Sequence, residues 1–304
     1  INISLINFIH INLSSKLECM KNIGFIGVGY MGYGIAKNIL KAGHNLFVVA
    51  NKNRKPIDKI VSEGATEVKS FDDFKDKQLD VLFKCVTNTP IAKEIAKKLS
   101  KILNKNTLVI DVTTHHKTGS IETEEIYKLN NIHYIECPVM GGPVQAEEGV
   151  LGGIVGASDQ SFKLAEPYLR IFCKDYFHFG PVGMGAKSKL LNNFLTLGNA
   201  ALINHMAKTA KKLNLDLQKL FDVAKLGSGN SAALTRVFDG LLKEDFTGFK
   251  FTATNSVKDL TYIQDLLNDF PDAEKVAEVN KNYFQKAVDD GYGESFISEL
   301  INKK

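Results

Sequence analysis

The chain has 304 residues, of which 44% are hydrophobic and 24% are charged. That composition is ordinary for a globular protein and excludes a chain that is mainly disordered or of low complexity. The 38 Lys and Arg residues barely outnumber the 34 Asp and Glu residues and are spread along the chain, so no nucleic-acid partner is expected. At this length two domains are expected.

Apolar runs and cysteines bear on where the protein works. No run approaches about 18 uninterrupted apolar residues, so no membrane span is expected. The four cysteines, at positions 19, 85, 137 and 173, stand far apart without a CxxC pair, which favours reduced thiols in the cytoplasm over a disulfide or zinc framework. The adjacent His115 and His116 point different ways on a strand or a helix, so we expect loop residues there and no metal site.

Residues 1–19 precede the first methionine, Met20, and the strand-like segment that follows it. They are apolar but lack a basic leading region and an A-x-A cleavage site, which makes them a poor signal peptide. We expect translated upstream sequence or an expression remnant. The alternative is a targeting or oligomer-contact segment.

From Asn22 onward, short apolar runs alternate with helical stretches, a pattern typical of βαβ units that build a parallel sheet. Helices are predicted at 30–42, ended by Gly43, and at 90–103. The predicted strands, in chain order, are 22–27, 46–50, 79–86, 107–112, 132–136, 152–157 and 176–179.

The character of the sequence changes after Gly180. The segment 180–185 is a glycine-rich hinge, and no convincing strand follows it. The first helix after the hinge, 184–213, is apolar on more than one face, which predicts burial by partners on several sides. Further helices are predicted at 216–226, 256–269, 273–290 and 294–302.

A glycine-rich turn joins the first predicted strand to the first helix. Its sequence, Gly27-Val28-Gly29-Tyr30-Met31-Gly32, is a G-x-G-x-x-G in the strand-to-helix context that binds the pyrophosphate of a dinucleotide. Gly27 permits the tight turn, Gly29 lets the backbone approach the anion, and Gly32 lets the helix pack close to the sheet. The alternative is a tight turn without a ligand. We therefore predict a Rossmann-type, doubly wound and mostly parallel sheet over residues 20–181, and an all-helical domain over 182–304.

The residues after the second strand bear on which dinucleotide binds. They read Asn51, Lys52, Asn53 and Arg54, with no carboxylate before Asp58. A carboxylate there would bind the ribose hydroxyl of NAD, whereas cations accommodate the 2′-phosphate of NADP. NADP is therefore favoured, with NAD still possible. The alternative is a solvated basic loop.

Two further segments carry candidate chemistry. In the segment 137–143, the backbone N–H groups of Gly141 and Gly142 could hold a carboxylate, although glycine pairs also occur in plain turns. In the helix after the hinge, Lys189 and Asn193 are four residues apart and share a face, with Asn192 beside them. Such a cation and amide could donate and orient a proton; the alternative is a surface lysine and an interdomain hydrogen-bonding pair.

Four ordered motifs make residues 21–302 resemble the β-hydroxyacid dehydrogenase family. The motifs are GFIGVGYMGYGIAKNI, PVMGGPVQAEEGVLGGIVG, GMGAKSKLLNNF, and Phe251 followed by Lys258-Asp259-Leu260. Members of the family include 3-hydroxyisobutyrate dehydrogenase and the glyoxylate/succinic semialdehyde reductases. The resemblance implies hydride transfer between NADP(H) and a small hydroxy acid or its semialdehyde, in a homodimer or homotetramer built through the helical domain.

The resemblance also implies roles for individual residues. Lys189 would be the catalytic general acid and base, and Asn193 would assist it. Met140, Gly141, Gly142 and Asn192 are expected at the substrate. The cofactor contacts are expected to be Gly27, Gly29, Tyr30, Met31, Gly32, Asn51, Lys52, Asn53, Arg54, Thr87, Thr114 and Lys258.

The chain departs from the family pattern at two places. Met140 stands where the family usually has serine, so a hydroxyl that would bind the substrate is missing. The segment Asp111-Val112-Thr113-Thr114 replaces Asp-x-Ser-Thr and lacks the proline that usually follows. These departures leave open a catalytically altered NADP-binding scaffold or sensor. For an active enzyme, the ordinary lysine pKa predicts that reduction dominates near neutral pH, unless burial or Lys258 lowers the pKa of Lys189.

Overall fold

Six parallel strands form the main sheet of the computed structural model, which describes residues 20–51 and 53–303. Their order is β3-β2-β1-β4-β5-β6, the doubly wound order in which successive strands are added toward one edge from β1 to β3 and toward the other edge from β4 to β6. The strands are β1 (Asn22–Ile26), β2 (Asn45–Val49), β3 (Thr66–Val68), β4 (Val81–Lys84), β5 (Leu108–Asp111) and β6 (His133–Glu136). The predicted fold class is confirmed. The short β3 was not predicted.

Helices cover both faces of this sheet. They are α1 (Tyr30–Lys41), α2 (Lys55–Ser62), α3 (Thr89–Leu99), α4 (Gly119–Lys128), α5 (Pro143–Glu148) and α6 (Asp159–Phe172). Apolar side chains from alternate strand positions fill the two faces, with Phe25 and Phe83 stacked 5.7 Å apart on one and Leu82 and Val109 on the other. Alternation along each strand is what sends side chains to both layers.

A second sheet corrects the sequence interpretation. The predicted strands 152–157 and 176–179 do not continue the parallel sheet but form β8 (Leu151–Val155) and β9 (Cys173–His178), with the unpredicted β7 (Val139–Met140), in the order β7-β8-β9. Pro138, which has no N–H, follows the end of β6, and the chain then turns so that β7 and β8 pair antiparallel. An antiparallel bridge between Glu136 and Gly156 joins the two sheets.

The carboxyl-terminal part is helical. Its α-helices are α7 (Met184–Lys212), α8 (Leu217–Leu226), α9 (Ala232–Lys243), α10 (Ala253–Leu266) and α11 (Pro271–Ala287). Helix α9 was not predicted, and the predicted helix 294–302 is instead a 3-10 segment, Ile297–Asn302. A separate apolar cluster, which includes Leu190, Phe238 and Phe284, holds these helices together. The division after residue 181 stays a prediction.

One face of α7 differs from expectation. Leu190 and Leu197 are buried, but Leu191, Leu195 and Leu202 are 51%, 64% and 70% exposed. Within a single chain, this face of α7 is therefore left uncovered, contrary to the prediction that the helix is buried on several sides. Among residues 20–51 and 53–303, no helix is both long and apolar enough to cross a membrane.

Candidate active site

The glycine-rich turn is packed as the sequence predicts. Gly27 has a φ of +94°, and a Cβ there would lie 2.0 Å from the carbonyl oxygen of Cys85. A Cβ on Gly32 would lie 2.1 Å from the carbonyl oxygen of Gly27, so α1 rests directly on the turn. Gly29, in contrast, faces open space, since no heavy atom of residues 20–51 and 53–303 lies within 4 Å of a Cβ placed there. Neither a side-chain cap nor an acidic residue occupies the first turn of α1, which leaves its N–H groups suited to an anion.

Two adjoining cavities lie at the carboxyl ends of the strands. The larger, of about 820 Å³, runs from Gly27 and Gly29 to Asn51 and Asn53, and the smaller, of about 300 Å³, runs from the same turn to Lys189. Thr87 lines both cavities, whereas Tyr30, Met31, Gly32 and Thr114 line the smaller one. This position, outside β1 and β4, is where doubly wound folds bind dinucleotides.

The loop after β2 agrees only in part with the sequence interpretation. Asn51 and Asn53 line the larger cavity, while Lys52 lies outside the described residues. Arg54 does not line it. The two terminal nitrogens of Arg54 lie 2.6 and 3.0 Å from the Glu67 carboxylate, and one lies 2.7 Å from Asp58. In this structure the guanidinium is thus held by carboxylates on the protein surface.

Lys189 reaches the smaller cavity from the first turns of α7. Its side chain is buried, and Nζ donates a hydrogen bond of 2.8 Å to the carbonyl oxygen of Val139 and lies 3.3 Å from the sulfur of Met140. The pKa of Lys189 is lowered from 10.5 to about 8; burial is the largest cause, Asp259 acts against it and Lys258 acts with it. The lysine is therefore poised to exchange a proton near neutral pH.

Helix α10 supplies the polar groups beside this lysine. Asn193 donates a 2.7 Å hydrogen bond to Oδ2 of the buried Asp259, whose other oxygen lies 2.9 Å from Nζ of Lys258. Lys258 also donates a 2.8 Å hydrogen bond to the carbonyl oxygen of Thr87, at the cavity wall. The four residues thus link α7 and α10 to the loop that follows β4.

The other three residues expected at the substrate are Gly141, Gly142 and Asn192. Gly141 and Gly142 line the smaller cavity, but the N–H of Gly142 donates a 2.9 Å hydrogen bond to the side chain of Gln145 at the start of α5. It is therefore not a free donor, contrary to the sequence interpretation. Asn192 is exposed and outside both cavities, with its side-chain oxygen 3.5 Å from Thr196 Oγ1. The structure brings Asn193, but not Asn192, to the polar cluster beside Lys189.

Glu136 is a residue that the sequence analysis missed. It ends β6, is fully buried, and accepts hydrogen bonds from the N–H groups of Gly183, Gly185 and Ala186 at 2.6, 2.9 and 3.1 Å. Burial raises the pKa of Glu136, and its bonds to backbone N–H groups act in the other direction. The carboxylate therefore fixes the start of the helix that carries Lys189. The glycine-rich start of α7, with no acid in its first turn, was the signal in the sequence.

A second unpredicted feature is a buried ionic cluster behind the cavity. One oxygen of Asp111 lies 2.8 Å from Lys84 Nζ, 2.8 Å from His115 Nε2 and 2.9 Å from the Tyr134 hydroxyl. Lys84, Asp111 and His115 are fully buried. Burial alone would raise the pKa of Asp111, but Lys84 and His115 outweigh it and hold that pKa well below its usual value. His115 and His116 are loop residues, as predicted.

Comparison with known proteins agrees with this geometry. Residues 22–180 match the model of the NAD-binding domain of 6-phosphogluconate dehydrogenase, and residues 183–303 match the model described as NAD-binding of NADP-dependent 3-hydroxyisobutyrate dehydrogenase. The chain belongs to the β-hydroxyacid dehydrogenase family. Members of this family are NAD(P)-dependent oxidoreductases, and the enzyme class and the resemblance expected from the sequence are confirmed.

Individual members of the β-hydroxyacid dehydrogenase family are similar along much of the chain. A Dictyostelium discoideum protein named "Probable 3-hydroxyisobutyrate dehydrogenase, mitochondrial" is 31% identical over 209 residues, which are 68% of this chain and 63% of that protein. A 2-(hydroxymethyl)glutarate dehydrogenase from Eubacterium barkeri is 26% identical over 76% of this chain and 78% of its own length. The crystal structure of 3-hydroxyisobutyrate dehydrogenase from Salmonella typhimurium has the same fold, with a TM-score of 0.84, 23% identity, and coverage of 92% of this chain and 98% of that one.

Proposed function

We propose that this protein transfers hydride between NADP(H) and a small hydroxy acid, or its semialdehyde or oxo-acid partner, with Lys189 as the general acid and base. The observation that carries the proposal is the buried Lys189 ammonium, which faces a cavity shared by the dinucleotide turn and the segment 139–143. A cofactor and a small acid bound in that cavity would meet beside this proton donor.

The nicotinamide, when bound, supplies or accepts the hydride. In reduction, Lys189 gives a proton to the carbonyl oxygen of the substrate, and in oxidation it takes the proton of the hydroxyl group. Because its pKa lies at about 8, both the charged and the neutral form are present near neutral pH. Reduction still has the larger share of active enzyme at pH 7, but oxidation is less handicapped than an ordinary lysine would make it.

Asn193, Lys258 and Asp259 support this lysine. Asp259 favours the ammonium form, Lys258 favours the amine form, and Asn193 holds Asp259 through a hydrogen bond. We propose that Lys258 also lies against the bound cofactor, because it anchors to Thr87, which lines both cavities.

The proposed preference for NADP rests on the end of β2. Asn51 and Asn53 line the larger cavity where an NAD-specific protein would offer a carboxylate to the ribose. Since Glu67 and Asp58 hold Arg54, this arginine must exchange partners before it could contact a 2′-phosphate. The absence of an acid from this wall is therefore the stronger argument.

The proposed substrates are small carboxylic acids. Relatives are named for 3-hydroxyisobutyrate, 2-(hydroxymethyl)glutarate and glyoxylate or succinic semialdehyde, so the family accepts acids of different length. Met140 adds a sulfur rather than a hydroxyl beside Lys189. A lost hydrogen bond to a buried substrate group costs about 1 to 3 kcal/mol, enough to change which acid is preferred.

The direct test compares wild-type protein with Lys189→Ala. Turnover of NADPH would be measured with glyoxylate, succinic semialdehyde, methylmalonate semialdehyde and tartronate semialdehyde, and NADPH affinity would be measured separately. We expect turnover to fall by about 10² to 10⁴-fold while NADPH still binds. Lys187→Ala, on the same helix but outside both cavities, is the matched control and should stay active. Near-normal turnover of Lys189→Ala would refute the role of the lysine, and tight NADPH binding without wild-type turnover would favour a scaffold or sensor.

We also propose that the protein self-associates across the exposed leucines of α7. Leu191, Leu195 and Leu202 are spaced by four and seven residues and so form one stripe along the helix. Light scattering after gel filtration should give a dimer or tetramer for the wild type and a smaller species for Leu195→Lys. A wild-type monomer at micromolar concentration would contradict the proposal.

A further inference from the structure

Among the described residues, four cations line the smaller cavity, and two of them are already engaged. They are Lys189, Arg236, Lys250 and Lys258. Lys189 donates to the Val139 carbonyl oxygen, and Lys258 donates to the Thr87 carbonyl oxygen and pairs with Asp259. Asp259 is the acidic residue of this lining, so the cavity is strongly biased toward anions.

Arg236, on α9, is oriented without help from a carboxylate. Its guanidinium carbon lies 5.6 Å from the centre of the Phe249 ring, and Phe249 is itself buried. Within the part of the chain that the structure describes, no acidic side chain forms an ion pair with Arg236. A guanidinium that rests on an aromatic face keeps the N–H groups along its edge available to a planar anion.

The segment 139–142 offers few donors for the carboxylate of a substrate. Met140 has no hydroxyl, and the N–H of Gly142 is bound to Gln145. Of the two glycine N–H groups that the sequence offers to a carboxylate, Gly142 is therefore already committed within the protein. A buried carboxylate needs several donors or a cation, because an unpaired charge is costly to desolvate.

We propose that Arg236 binds the carboxylate of the substrate through both of its terminal nitrogens and thereby determines that the substrate is an acid. The inference rests on the proposed function, since it places the substrate beside Lys189. Paired N–H···O bonds between a guanidinium and a carboxylate are directional as well as strong, so they would also orient the reacting carbon.

The test measures binding of malonate to the full-length protein saturated with NADP⁺, by titration calorimetry. Malonate has neither a hydroxyl nor a carbonyl carbon open to reduction, so binding is observed without turnover. Arg236→Gln should weaken malonate binding by about 10 to 100-fold, the usual effect of losing a charged hydrogen-bonding partner. Arg236→Lys should recover only part of it. Malonamide, the neutral counterpart, should bind equally to all variants.

Lys243→Gln is the matched control, because Lys243 lies on the same helix, is exposed and carries the same charge. It should leave malonate affinity within about twofold of wild type, as expected for a screened surface charge. NADPH affinity of Arg236→Gln, measured without malonate, should also be unchanged. Unchanged malonate affinity in Arg236→Gln, or no malonate binding by the wild type, would overturn the proposal. If Arg236→Gln lost affinity for NADPH but not for malonate, Arg236 would be assigned to a cofactor phosphate, which would also overturn the proposal.

The two proposals fail in different ways. Malonate binding that depends on Arg236, without turnover of any hydroxy acid, would refute hydride transfer and leave the role of Arg236 standing. Turnover that survives in Arg236→Gln with an unchanged KM would refute the role of Arg236 and leave hydride transfer standing.

Discussion

The buried ammonium of Lys189 should lower the free energy of unfolding, and the variant Lys189→Met should show by how much. The pKa of this lysine is lowered from 10.5 to about 8, and burial is the largest cause. Between these two values the unfolded chain holds more protons than the folded protein. The wild type should therefore gain stability as the pH rises through this window, whereas Lys189→Met has no such proton to lose.

The size of the effect follows from the shift. A change of this size corresponds to about 3 kcal/mol against folding at pH 7, and raising the pH to 9.5 should return about 2 kcal/mol of it. Methionine preserves most of the side-chain volume, so packing losses should be small and the same at both pH values. The expected result is that Lys189→Met gains on the wild type by about 2 kcal/mol more at pH 7 than at pH 9.5.

Urea unfolding of both proteins at pH 7 and pH 9.5 measures this difference, with Lys187→Met as the control that removes a half-buried lysine from the same helix. The control should change stability equally at the two pH values. If the difference between wild type and Lys189→Met were the same at both pH values, the lysine would not be desolvated as the structure shows, and the explanation of its proton exchange would fail. Activity lost together with stability gained would mark Lys189 as a functional residue rather than a structural one.

Further substitutions test the structure around the two cavities. Gly29→Ala should keep wild-type thermal stability, because its Cβ enters open space, but it should lose NADPH affinity in a fluorescence titration, because that Cβ would keep the backbone away from the pyrophosphate. Gly32→Ala should lose both thermal stability and NADPH affinity, because its Cβ meets a backbone oxygen at 2.1 Å. Glu136→Gln should destabilise the protein to urea by about 3 kcal/mol, since an amide cannot accept all three N–H groups; equal stability would refute its capping role. Glu67→Gln combined with Asp58→Asn should release Arg54 and raise the ratio of NADPH to NADH affinity, and an unchanged ratio would contradict a role for Arg54 at the 2′-phosphate.

The sequence predicts best what depends on neighbouring residues. The strands of the main sheet other than β3, together with α1 and its glycine-rich turn, follow from local apolar runs and glycine positions. The four-residue spacing correctly places Lys189 and Asn193 on one face of α7. The pairing of Asn193 with Asp259 spans 66 residues and joins two helices, so no local pattern contains it.

The other features that the sequence did not predict also depend on contacts between residues that are far apart in the chain. Glu136 meets the start of α7 from 47 or more residues away, and its role needs β6 and α7 to be placed first. The strands of the second sheet were assigned to the main sheet because an apolar run predicts a strand but not the strand with which it pairs. The pairing of β8 with β7 depends on the turn after Pro138. Arg236 was overlooked because α9 follows a Gly-Ser-rich stretch that gives a weak helical signal.

The buried cluster of Lys84, Asp111 and His115 restricts how this protein can change by mutation. Each side chain is fully buried, so replacing Asp111 alone would leave a lysine charge in the core without a counter-ion, a loss of about 3 to 5 kcal/mol. Replacing all three with apolar residues of similar size could cost little, yet every single step toward that core passes through an unstable protein. Single substitutions in the cluster should therefore be destabilising, and its three positions are expected to change together.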